Sequence, residues 1–212
     1  MSIGDPKVLT ATITNPGQSE NTSRILGNGA ELKILTPQKE ITALRLVETE
    51  GQLKVHTAPY RGSFSVVLSE AIRAAGLGSR VMIAQFLKGG VAQGLNGKVQ
   101  LCGKLDWIRP AFEGFISSDP KKSDTHLKAN HPKEEIREIW KSCKDNILNR
   151  NVDQLVLDEI GLAIKFGFLN EEDLLSTLNK RPGSMDIIIT GPSIPESIIS
   201  MADQVTQLRC GI

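Results

Sequence analysis

The stretch that most constrains the fold is Gln154-Leu155-Val156-Leu157-Asp158-Glu159-Ile160, an apolar run that ends in two adjacent carboxylates. A run this apolar reads as a strand buried on both faces, which places it in a parallel sheet. Ligands of such sheets bind outside the carboxyl ends of the strands. Asp158 and Glu159 are therefore candidate site residues. A second reading is open at this point: acids that precede a helix also stabilise its N-terminus without any ligand.

The 212 residues suffice for one sizeable α/β domain with an appendage. Residues 1–51 read as a β-rich N-terminal arm or small appendage. Within it Lys7 to Thr14 alternates and stops at Asn15-Pro16-Gly17, as a strand and turn do. Residues 52–212 read as alternating strands and helices, which predicts a three-layer domain with a mostly parallel sheet. Leu53 to Phe86 forms one strand-helix-strand unit, with an apolar helical stripe at Val66, Val67, Ala71, Ile72 and Ala75. The glycine-rich Lys88 to Gly103 is expected to be a surface loop or lid, with a strand at Asp106 to Arg109. Further helices are expected from Pro132 to Arg150, from Ile160 to Phe166 and after Asn170 as cap. Strands are expected at Met185 to Thr190 and Val205 to Leu208.

Charge is close to balanced, with 25 Lys and Arg against 24 Asp and Glu, so nothing points to nucleic acid or a membrane surface. The three cysteines form no Cys-x-x-Cys and are read as free thiols of a reducing compartment. With no membrane-spanning run and no signal-like N-terminus, the expected location is the cytoplasm. His126 and His131 read as solvated, His56 as a hydrogen-bonded structural residue, and Trp107 and Trp140 as packing residues, Trp107 also as a candidate interface anchor.

Taken in order, Leu155 to Ile160, Phe168-Leu169, Leu178 to Gly183, Ile187 to Gly191, Met201-Ala202-Asp203 and Leu208-Arg209 resemble the ATP:corrinoid adenosyltransferases, the P-loop type of cob(I)alamin adenosyltransferase. Ala71 to Gly78 and Gln85 to Gly89 add a second match. The resemblance runs from about Gln52 to Arg209. It implies a P-loop NTPase-like (RecA-like) α/β fold, transfer of the adenosyl group of ATP to a reduced corrinoid, Mg²⁺ on the triphosphate, and a homodimer. It also assigns roles. Asp158 and Glu159 would help hold the metal, Arg73 would reach the nucleotide, and Phe115 would lie on the corrinoid side. Arg73 is open to a second reading, a pair with a nearby acid.

Against that family the phosphate loop departs. The chain reads Thr57-Ala58-Pro59-Tyr60-Arg61-Gly62-Ser63-Phe64-Ser65, in which Gly62 is the one glycine kept. Ser63 stands at the position of the phosphate-binding lysine and Phe64 at that of the metal-binding hydroxyl. Proline removes one amide donor, and the larger side chains work against a nest of amides around phosphate. What is left for an anion is Arg61, Gly62, Ser63 and Ser65 at a helix start, together with Arg73: a vestigial nucleotide site. Two functions follow. The first is a non-catalytic, adenosyltransferase-like protein that binds a corrinoid, another ligand or a protein partner. The alternative is a divergent active enzyme using Arg61, Arg73, Glu159 and helix amides.

Overall fold

The structure is a computed structural model that describes residues 50–62, 64–90, 94–112, 114–117 and 131–209. Residues 1–49 of the N-terminal appendage, Ser63, His126 and Cys210 lie outside the described residues. The elements in chain order are β1 (Leu53–Thr57), α1 (Ser65–Gly76), β2 (Val81–Gln85), a 3-10 turn (Leu95–Gly97), β3 (Val99–Leu101) and β4 (Leu105–Ile108). Then follow α2 (His131–Leu148), β5 (Gln154–Asp158), α3 (Ile160–Lys165), α4 (Glu171–Asn179), β6 (Asp186–Thr190), α5 (Glu196–Met201) and β7 (Gln204–Gln207).

One seven-stranded sheet runs in the order β3-β4-β2-β5-β6-β1-β7. Every neighbouring pair is parallel except β3 with β4. Alternation explains its two faces, because successive side chains of a strand point to opposite sides. Leu53 and Val55, Leu155 and Leu157, and Ile187 and Ile189 join the larger core, under α2 to α5. Val81 and Ile83, Val156 and Ile188 join the smaller core under α1, with Val67, Ala71 and Ala75. Five buried strand residues in a row, as in β2, therefore reflect burial from both sides.

Local signals account for the helix ends. Asn170 accepts from the amide of Glu172 at 2.7 Å and caps α4, whose first turn carries Glu171, Glu172 and Asp173. Trp140 is buried on α2, and its indole donates to Asp173 at 2.8 Å. Trp107 is half-buried on β4.

Two expectations change. Lys88 to Gly103 is not loop throughout: Val99–Leu101 pairs antiparallel with β4, and the hairpin turns at Cys102 and Gly103, both with positive φ. The tight hairpin was hidden because its strands are only 3 and 4 residues long and its turn opens with a cysteine. His56, read as hydrogen-bonded, has no side-chain hydrogen bond among the described residues. Its ring lies 6.0 Å from that of Phe64, and burial lowers its pKa from the ordinary value.

Candidate functional site: a charge-compensated cluster at the carboxyl ends of the strands

The parallel register brings the last residues of several strands into one row. Gln85 of β2 pairs with Asp158 of β5, Asp158 with Thr190 of β6, and Thr190 with His56 of β1. Each of the first three is buried. Asp158 accepts from Thr190 Oγ1 at 2.7 Å and from Gln85 Nε2 at 2.6 Å. Gln85 Oε1 in turn accepts from Trp107 Nε1 at 3.0 Å and from Arg109 Nε at 2.6 Å. A buried carboxylate is tolerated when hydrogen bonds and opposite charge replace its water.

Glu159 follows at the start of α3. Its backbone is left-handed, with φ 64°, and its side chain makes no capping hydrogen bond. The second reading of the acid pair, a simple helix cap, therefore does not hold for Glu159. A left-handed glutamate costs backbone free energy, and the turn is held by its amide donating to Thr190 O at 2.8 Å. Gly191 closes the other side. With φ 117°, its missing Cβ would stand 3.1 Å from Glu159 Cα, so only glycine fits comfortably.

The Glu159 carboxylate, 1% exposed, is met by the loop between β1 and α1. Arg61 donates from Nε to Oε1 at 3.0 Å and from Nη2 to Oε2 at 2.5 Å, a bidentate pair. Its Nη1 donates to the carbonyl of Ile116, and its Cζ sits 5.4 Å from the centre of the Phe115 ring. One guanidinium thus joins the loop, the β5 turn and the segment around Phe115. That segment is itself docked on Lys88 by a backbone bridge. Gly89 is required there, because a Cβ would lie 1.7 Å from Phe112 O. Lys88 completes the cluster, with Nζ 3.4 Å from Asp158 and 3.6 Å from Glu159.

All four carboxylate oxygens are therefore engaged. Asp158 and Glu159 are the residues that would hold a divalent cation here, in competition with the contacts they make to Arg61 and Lys88. Among the described residues no group of three or more His, Cys, Asp or Glu is arranged to hold a metal. In the loop, Tyr60 folds its ring back over Gly62: a Cβ there would come 3.0 Å from the ring. Arg73 is exposed on α1, where it lines a shallow depression with Ser65, Ser69 and Glu70.

Sequence reasoning thus named Asp158, Glu159, Arg61 and Phe115, which the fold brings together, and Arg73, which the fold leaves on the outer side of α1. It missed Gln85, Lys88, Arg109 and Thr190. The signal was present: β2, β5 and β6 each end an apolar run with a polar residue, in Gln85, Asp158 and Thr190.

A mostly parallel sheet between helical layers, with acids at the tip of a central strand and a loop into the first helix, defines a P-loop NTPase-like protein. A profile of the ATP:corrinoid adenosyltransferase BtuR/CobO/CobP family matches residues 49–211, and the chain belongs to that family. It is 28% identical over 163 residues to the corrinoid adenosyltransferase of Escherichia coli K12, covering 76% of this chain and 78% of the relative. The corrinoid adenosyltransferase CobA of Salmonella typhimurium gives the same figures. That of Pseudomonas aeruginosa is 26% identical over 161 residues, covering 76% of each. Among the described residues no helix is long and apolar enough to cross a membrane.

Proposed function

We propose that this family member binds a corrinoid or a partner and does not transfer an adenosyl group from ATP. The observation that carries the reading is the turn of Arg61 onto Glu159. The cation of the loop and the carboxylate that the resemblance assigns to the metal neutralise each other, so each loses its use toward MgATP. Phosphoryl sites work by placing cations and amides on phosphate oxygens. On the resemblance, Ser63 stands at the family's lysine position and Phe64 at its hydroxyl position. Phe64 is buried against the α1 core, and Pro59 offers no amide.

A second reading, a divergent adenosyltransferase, rests on Lys88. That ammonium is 32% exposed beside both carboxylates and would stand in for the lysine that the resemblance expects in the loop. Binding as a homodimer in the cytoplasm accompanies either reading.

Calorimetric titration separates them. With MgATP the expected result is no binding in the micromolar range; with hydroxocobalamin, binding identifies a carrier or sensor. Micromolar MgATP affinity overturns the proposal. Absence of both ligands leaves a protein partner as the object of the same non-catalytic reading.

A further inference from the structure

The three cations at the carboxyl edge are not equivalent. Arg61 is paired with Glu159, and Lys88 lies within 4 Å of both carboxylates. Arg109, just beyond β4, has no carboxylate partner among the described residues. Its side-chain hydrogen bond there goes from Nε to the neutral Oε1 of Gln85. Among the described residues of this cluster, Arg61 and Lys88 share Asp158 and Glu159, and Arg109 is the cation left without a carboxylate.

Its orientation is fixed. The guanidinium lies with Cζ 4.8 Å from the centre of the Trp107 ring, and Trp107 Nε1 donates to the same Gln85 oxygen. The Gln85 amide cannot turn over, because its Nε2 is held by Asp158 at 2.6 Å. Arg109 is thus gripped along Nε and on one flat face, and among the described residues its two terminal nitrogens have no partner and form an oriented fork. The residue is half-buried. A partly desolvated cation without a counter-charge costs free energy, and a held guanidinium matches oxyanions in bidentate fashion. The position, at the carboxyl end of a parallel strand, is where ligands of such sheets bind.

We propose that Arg109, held by Gln85 and Trp107, is the docking point for an oxyanion of the bound ligand, a phosphate or a carboxylate. Lys88 lies across the Gln85–Asp158 pair and adds attraction at longer range. The inference rests on the reading that the β1–α1 loop no longer holds phosphate, and it supplies the chemical class of group that the remaining site recognises.

The test titrates the full chain, without Mg²⁺ and at constant ionic strength, with inorganic pyrophosphate and separately with succinate. Binding is followed by calorimetry and by tryptophan fluorescence. Wild type is expected to bind at least one of the two, and which one it binds names the oxyanion. Arg109→Gln is expected to weaken that binding about tenfold or more, the effect of losing a charge-assisted bidentate contact. Arg109→Lys keeps the charge and serves if the glutamine variant does not fold; losing the fork is expected to cost about threefold. Lys141→Gln, an exposed charge change on α2, is expected to leave affinity unchanged. The proposal is overturned if neither anion binds, if Arg109→Gln binds as wild type, or if Lys141→Gln weakens binding as much. Micromolar MgATP binding that Arg109→Gln leaves intact breaks the functional reading instead, so the two failures differ.

Discussion

Two bidentate arginine–carboxylate pairs brace opposite ends of the sheet. At the carboxyl end Arg61 meets Glu159; at the amino end Arg80, just before β2, meets Asp153, just before β5. Both show an Nη2 to oxygen distance of 2.5 Å. Their surroundings differ. Arg61 and Glu159 are 26% and 1% exposed, whereas Arg80 and Asp153 are 52% and 46% exposed. In water a pair gains little over its two solvated halves, while in the interior each half depends on the other. The same contact is thus a brace at one end and an obligation at the other. A buried obligation that runs from a loop to a strand tip is what the proposed loss of MgATP binding rests on.

The comparison can be broken most sharply at Arg61. Arg61→Ala leaves Glu159 buried with only Lys88 nearby, and is expected to destabilise by about 3 kcal/mol in urea denaturation. A loss below about 1 kcal/mol would put this pair in the same class as the exposed one. Next in size is Gly191→Ala, which forces a left-handed alanine against Glu159 and is expected to lower stability by about 2 kcal/mol. Unchanged stability would mean that the β5 turn yields easily. Arg80→Ala should cost less than about 1 kcal/mol, and half of that at high salt, because solvent already screens the pair. A cost equal to that of Arg61→Ala would erase the distinction drawn between them.

The smallest effect concerns pH. The Asp153 carboxyl is held below its ordinary value, and the chief cause acting in that direction is the hydrogen bond from Arg80. A lowered folded pKa gives stability that is present above the unfolded value and is lost as pH falls through the folded one. For Asp153 that window lies in strong acid, and exposure keeps the effect small. His56 follows the same sign at a higher pH, since burial lowers its pKa despite the opposing charge of Glu70, with Lys54 acting in the same direction as burial. Stability is therefore expected to decline as pH falls below about 6.5, the unfolded value, and His56→Phe should remove that slope. A slope that survives in the variant would assign it to another group.

Much of the fold was legible because it is written in local patterns. Strands β1, β2, β5 and β6 follow from short apolar runs. Asn170 and the acids behind it announce α4, and the order of motifs from Leu155 to Arg209 carries the family. Near the site the sequence supplied Asp158, Glu159 and Arg61 but no way to pair them. The β3–β4 hairpin stayed hidden, since its two short strands follow a glycine-rich stretch and its turn opens with a non-glycine residue. Gln85, Lys88 and Arg109 passed as ordinary polar residues, each flanking an unremarkable strand end.

By itself the sequence determined most of the strands and helices and that the sheet is mostly parallel. Those features depend on residues close together in the chain, where propensity, capping and periodicity act. Only the tertiary structure decided that Arg61 lies on Glu159, 98 positions away, and that Gln85 and Thr190 hold Asp158 from 73 and 32 positions away. Such contacts arise when crossover helices return each strand into register beside a distant one. Charge signs along a chain do not reveal which of them will meet, and here the meeting of a loop arginine with a strand-tip glutamate underlies the function proposed for this protein.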